Sequence, residues 1–234
     1  MIVGVIGGAG VAATNKLLEL IEIQKTKAGA YRDSHHPEMI IYQATQAPSR
    51  SMFLEGKGPS FIEDYVNVGN KLKNAGAEVL CMCCNTAHYA FPILQATLRV
   101  PFIHVIDEVA KVCKATGKTK IGLVASDGCR KGFVYEKSFE KLFPSAQFVY
   151  PDEFFQQNVT RGICNIKNIH RFDEPDSLER PKFVFEEVYN HLMSQGSEVV
   201  IMGCTDIRVD YKSNHLNVVD SLEVLATRII ELNE

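Results

Sequence analysis

Two cysteines stand at corresponding places in this chain. Cys84 ends the run Gly76-Ala77-Glu78-Val79-Leu80-Cys81-Met82-Cys83-Cys84, and Cys204 ends Gly196-Ser197-Glu198-Val199-Val200-Ile201-Met202-Gly203-Cys204. The offset is a constant 120, and Gly, Glu, Val, Met and the final Cys are identical. Inverting a carbon that carries one weakly acidic hydrogen needs a base on one face and an acid on the other, both within hydrogen-bond reach. A thiol whose pKa is lowered by a cation or a helix N-terminus can be that base, and a second thiol the acid. A lone cysteine at a strand end is more often a small buried hydrophobe. The repetition favours chemistry here, with Asn85-Thr86 after the first thiol and Thr205-Asp206 after the second. These are capping residues, expected where a strand gives way to a helix, and the backbone N–H groups there can hold a carboxylate. Cys81, Cys83, Cys113, Cys129 and Cys164 lack this context and read as core or incidental.

Opposed thiols need strands whose carboxyl ends face each other. Short apolar, β-branched runs occur at 2–6, 39–42, 79–83 and 102–105, and again at 121–125, 147–149, 199–202 and 218–219. Between them lie helix-period apolar residues such as Leu17, Leu18 and Ile21, or Val68 and Leu72. Strands of this kind separated by helices make parallel sheets covered on both faces. The halves also repeat: Gly4 precedes Cys84 by 80 residues, Gly122 precedes Cys204 by 82, and Val105-Ile106-Asp107 is echoed by Val218-Val219-Asp220. The expectation is an α/β protein of two pseudo-symmetric three-layer domains, each a mostly parallel sheet flanked by helices. Ligands bind such sheets at the carboxyl ends of the strands, so Cys84 and Cys204 should face each other across the cleft between the domains.

Composition narrows the partners. With 46% hydrophobic and 23% charged residues the chain can bury a real core. A net charge of -3, with Lys and Arg scattered, offers no basic surface for nucleic acid. The opening residues 1–13 lack a basic n-region and read as a strand and turn rather than a signal peptide. No apolar run approaches the roughly 18 residues of a membrane span. Seven cysteines, an odd number, suit free thiols in a reducing compartment, so a cytoplasmic location is expected.

Three motifs resemble the aspartate/glutamate racemase family over nearly the whole length. Gly7-Gly8-Ala9-Gly10-Val11-Ala12-Ala13-Thr14 is similar to its glycine loop, Cys84-Asn85-Thr86-Ala87-His88 to its first cysteine motif, and Gly203-Cys204-Thr205-Asp206 to its second. The resemblance implies thiolate and thiol roles for Cys84 and Cys204, no pyridoxal phosphate or other cofactor, and homodimers. It also implies a chain end that returns to the first lobe, giving 1–107 with 215–234 as one lobe and 108–214 as the other. Gly8, Thr14, Asn85, Thr86 and Thr205 would contact the substrate. Arg50, in Pro48-Ser49-Arg50, and Lys167 fall where the aspartate-specific branch grips the side-chain carboxylate, a role that suits a guanidinium. The expected activity is racemisation of aspartate, and of glutamate in a looser pocket. Ala9, Val11, Ser49 and Asp206 depart from the family pattern, Asp206 being one methylene shorter than the usual Glu.

Other readings stay open at this point. Hydantoin racemases and maleate isomerases share the two-cysteine plan. An amino-acid-binding protein would keep Arg50 but have no use for two thiols. Gly8-Ala9-Gly10-Val11-Ala12-Ala13 fits a dinucleotide loop, yet the second strand ends without the acidic residue that would hold a ribose. A metal site from Cys81, Cys83, Cys84 and His88 is disfavoured, because neighbouring side chains on a strand point to opposite faces.

Overall fold

The computed structural model describes residues 1–233. The first half runs β1 (Val3–Gly7), α1 (Val11–Lys27), β2 (Met39–Gln43), α2 (Arg50–Leu54), α3 (Ile62–Asn74), β3 (Val79–Met82), α4 (Phe91–Leu98), β4 (Phe102–Ile103) and α5 (Val105–Ala115). The second runs β5 (Lys120–Val124), α6 (Asp127–Lys131), α7 (Val134–Leu142), β6 (Gln147–Val149), α8 (Glu153–Asn165), α9 (Pro181–Ser194), β7 (Val199–Met202), β8 (Val218–Asp220) and α10 (Ser221–Glu231). Every strand pair is parallel. The two sheets have the same order, β2-β1-β3-β4 and β6-β5-β7-β8. Gly4 sits opposite Leu80 in one and Gly122 opposite Val200 in the other, so the repeat seen in the sequence is a repeat in register.

Alternation along each strand builds three apolar layers. Val79, Cys81 and Cys83 point into a layer shared by both sheets, together with Val199 and Ile201. Leu80, Met82 and Cys84 point the other way, under α3 and α4, as Val200 and Met202 do under α8 and α9. The shared layer is filled by Leu17 and Ile21 of α1, Ile106 and Val109 of α5, Phe139 of α7, and Leu222, Leu225 and Ile229 of α10. Each such side chain contributes about 1.5–3 kcal/mol on burial, against roughly 1 kcal/mol for a typical hydrogen bond. Apolar packing therefore sets how the lobes sit, and the polar bridges between them refine it.

One expectation needs correcting. Val105-Ile106-Asp107 is the first turn of α5, capped by His104, whose side chain accepts from the Asp107 N–H. The true counterpart of Val218-Val219 is Phe102-Ile103, which pairs with β3 as β8 pairs with β7. After residue 215, β8 extends the second sheet through its β-branched pair, and α10 packs on α1 and α5.

Short helices α2 and α6, one from each lobe, meet beside the cleft. Gly128 makes this possible: its N–H donates to Ser51 Oγ at 3.0 Å, and a Cβ there would stand 2.4 Å from the Ser51 Cα. Backbone cannot yield that far cheaply, so Gly128→Ala should destabilise by about 1–3 kcal/mol. Urea unfolding of the two proteins checks it, and an unchanged midpoint would mean that the contact is slack.

Candidate active site

Both thiols stand just past the carboxyl ends of β3 and β7, on the side of the sheet away from the shared layer. Cys84 is buried and Cys204 half-buried, and both line one small cavity of about 70 Å³. Arg50, Asn85, Thr86, Lys167 and Thr205 line it too, so seven of the nine residues expected at the site come together. The cavity shares the walls Ala9, Arg50, Lys167 and Asp206 with an adjoining open vestibule of about 760 Å³.

The other two expected residues lie elsewhere. Gly8 borders the vestibule rather than the cavity. Thr14 lines neither: its Oγ1 accepts from the Gly8 N–H at 3.0 Å and donates to Gly10 O at 3.1 Å. Thr14 is thus a brace that shapes the glycine loop, spent before a ligand arrives.

Hydrogen bonds across the lobes occupy several other groups. Asn85 Nδ2 donates to Ser221 Oγ at 2.7 Å, and that hydroxyl donates to Met202 O at 2.8 Å. Thr86 Oγ1 meets Ser126 Oγ at 3.1 Å, and Thr205 Oγ1 donates to Cys83 O at 3.3 Å. Asn85 Oδ1 and Asp206 Oδ1 are buried and have no hydrogen-bond partner among the described residues, and both residues line the cavity. A buried acceptor without a donor is costly unless a ligand supplies one.

Charge is distributed unevenly between the thiols. Arg50 lies beside Cys84, its Nη1 tied to Pro48 O at 2.8 Å and Ala47 O at 3.3 Å. Burial lowers its pKa, but negative charge at Cys84, then Tyr65 and Asp206, outweighs this and raises it, so the guanidinium stays charged. The Cys204 thiol is pushed well up by burial, reinforced by Asp206 and opposed by Lys167. Its Sγ donates to Asp206 Oδ2 at 3.9 Å. The expected lowering by a helix N-terminus is absent at Cys204, where the strand gives way to a 3-10 turn over Ile207–Val209 and desolvation dominates. Neither Asn85 nor Asp206 caps the turn that follows it with its side chain.

Asp206 itself is buried, and its Oδ2 lies 2.9 Å from Lys167 Nζ. Burial raises its pKa while Lys167 and Arg50 pull it down. Burial likewise lowers that of Lys167, and Asp206 and Cys204 more than restore it. The sequence marked Asp206 as a departure from the family pattern and missed that it walls the cavity. Ser126 was also missed, although the offset that pairs Gly4 with Gly122 sets it opposite Gly8.

His88 is not available to a metal. Val105 N–H donates to its Nε2 at 3.3 Å, so Nδ1 carries the proton and donates to Cys84 O at 2.9 Å. Cys81 and Cys83 face the shared apolar layer, and burial pushes the Cys81 thiol up to about 12.

The Asp/Glu/Hydantoin racemase family model matches residues 3–229. The chain belongs to this family. It is 24% identical over 229 residues to the broad specificity amino-acid racemase RacX of Bacillus subtilis, covering 96% of this chain and 94% of RacX. The aspartate racemase of Picrophilus torridus superposes with a TM-score of 0.81 at 25% identity, over 99% of this chain and 93% of that one. Glutamate racemase RacE1 of Bacillus anthracis has the same fold, with a TM-score of 0.66 at 20% identity over 99% and 80% of the two chains. The chain is accordingly an isomerase of the racemase class, and the dinucleotide-loop reading of Gly8–Ala13 falls away. Among the described residues of this racemase, no helix is long and apolar enough to cross a membrane.

His88 gives this racemase a pH signature. Burial, helped by His104, pushes its pKa down to about 3, while the unfolded chain takes up the proton near about 6.5. The native state then binds fewer protons than the unfolded one, so this contribution is complete above about pH 6.5 and is lost as pH falls toward 3. His88→Gln, which keeps a donor and an acceptor, should flatten the fall in unfolding free energy between pH 7 and 5. An equal slope in both proteins would remove His88 as its source.

Proposed function

We propose that this protein is a pyridoxal-phosphate-independent amino-acid racemase that inverts aspartate, and glutamate where the pocket allows, by two-base proton transfer between Cys84 and Cys204. The observation that carries the reading is the pair of repeat-related thiols lining one small cavity beside a fixed guanidinium. The thiolate on one face removes the α-proton, the thiol on the other delivers its own proton to the opposite face, and the pair has exchanged roles when the product leaves. Burial and the neighbouring Asp206 carboxylate favour the protonated thiol at Cys204.

The unpartnered Asn85 Oδ1 suits the substrate ammonium. Arg50 suits a carboxylate, which favours an acidic substrate. The names of RacX and of the Picrophilus enzyme support amino-acid racemisation and bracket the range from broad to aspartate-directed. We place the racemase in the cytoplasm, where its free thiols stay reduced, and expect a homodimer.

Incubation with each enantiomer of aspartate in D₂O, without added cofactor, tests the proposal. Inversion should proceed with α-deuterium incorporation. Cys84→Ala and Cys204→Ala should each lower it by at least about 10²-fold, the lower end for loss of a general acid or base. Full racemisation by either variant would refute the two-base mechanism, and exchange with a hydantoin but no amino acid would move the activity to that relative.

A further inference from the structure

We infer that Asp206 sets which side-chain charge this site accepts: by cancelling Lys167 it opens the racemase to amino acids with uncharged side chains alongside aspartate. The inference rests on the racemase reading and names the substrate class of that same site.

Three charged side chains line the cavity, Arg50, Lys167 and Asp206. With one of the two cysteines ionised, as the two-base reaction requires, two positive and two negative charges face the reacting carbon. The set is balanced before substrate enters. An amino acid with an uncharged side chain arrives as a zwitterion and preserves that balance. Aspartate brings one more negative charge, and an uncompensated charge among largely desolvated groups is expensive. Lys167 looks suited to compensate it but is already committed, its Nζ 2.9 Å from Asp206 Oδ2.

Asp206 cannot step aside. It is only 2% exposed, and its Oδ1 is wedged against Gly10 so closely that a Cβ there would fall 1.9 Å from it. Gly10, at φ +139, takes a backbone conformation that side chains disfavour. The glycine loop of one lobe thus locks the carboxylate of the other onto Lys167. The Lys167 side chain is itself 49% exposed, toward the vestibule. Solvent there softens the penalty, which is why aspartate remains a substrate rather than being shut out.

Asp206→Asn tests this, because it keeps the shape and removes the charge. L-Aspartate and L-asparagine serve as probes of nearly equal shape. Dissociation constants from calorimetry and α-deuterium exchange rates are measured for the wild type, Asp206→Asn and Asp206→Asn/Lys167→Met. The ratio of the two substrates cancels any common loss at Cys204.

In the wild type the two should bind and exchange within about tenfold of each other, and Asp206→Asn should shift the ratio toward aspartate by at least about tenfold. Adding Lys167→Met should abolish the shift. An unchanged ratio in Asp206→Asn, or a shift that survives without Lys167, overturns the inference. So does a wild type that exchanges aspartate about a hundredfold better than asparagine, an outcome that leaves the racemase reading standing. Binding without exchange of either amino acid removes the racemase reading, while the ratio of dissociation constants still decides the role of Asp206. Failure to bind either one overturns both.

Discussion

The apolar layer shared by α1, α5, α7 and α10 holds both sheets at once, and the cavity depends on it. Each sheet is parallel, so all its strands end on one side. Two such sheets packed on a common layer present those ends to one cleft, and side chains two residues beyond β3 and β7 meet there. Period-2 alternation then selects among neighbours. Cys83 points into the shared layer, while Cys84 points out toward the cavity. A one-residue slip of β3 would exchange them and turn the reactive thiol into the shared apolar layer.

On this frame the polar groups divide into those that hold the lobes in place and those left for a ligand. Thr86, Thr205 and Asn85 Nδ2 stitch one lobe to the other, Thr14 braces the glycine loop, and Ser51 meets Gly128. Arg50, Lys167, Asp206 and the two thiols remain as the charged and ionisable groups lining the cavity. The different charges beside the two thiols break the symmetry of the repeat. A perfectly symmetric site would have no preferred resting state.

Much of this was legible in the residues. Strand runs, helix periodicity and the constant offset were enough for a doubled α/β fold, because register and alternation follow from local sequence. The paired Cys84 and Cys204 motifs located the chemistry for the same reason. Mistakes arose where a local pattern has two tertiary uses. Val105-Ile106-Asp107 resembles Val218-Val219-Asp220, yet His104 caps a helix at the first and no such cap precedes the second. Thr14 sits in a ligand-type motif, yet its hydroxyl closes on its own loop.

The sequence by itself determined the sheets, their repeat, the thiols and the candidate cation at Arg50, since each is set by residue type and short-range spacing. The tertiary structure alone decided which polar groups remain available. The Lys167–Asp206 pair joins residues 39 positions apart, and the Gly10 contact brings in the far end of the chain. Such contacts depend on how two lobes close on one another, to within a few tenths of an ångström, and that distance is the sum of packing over the whole core.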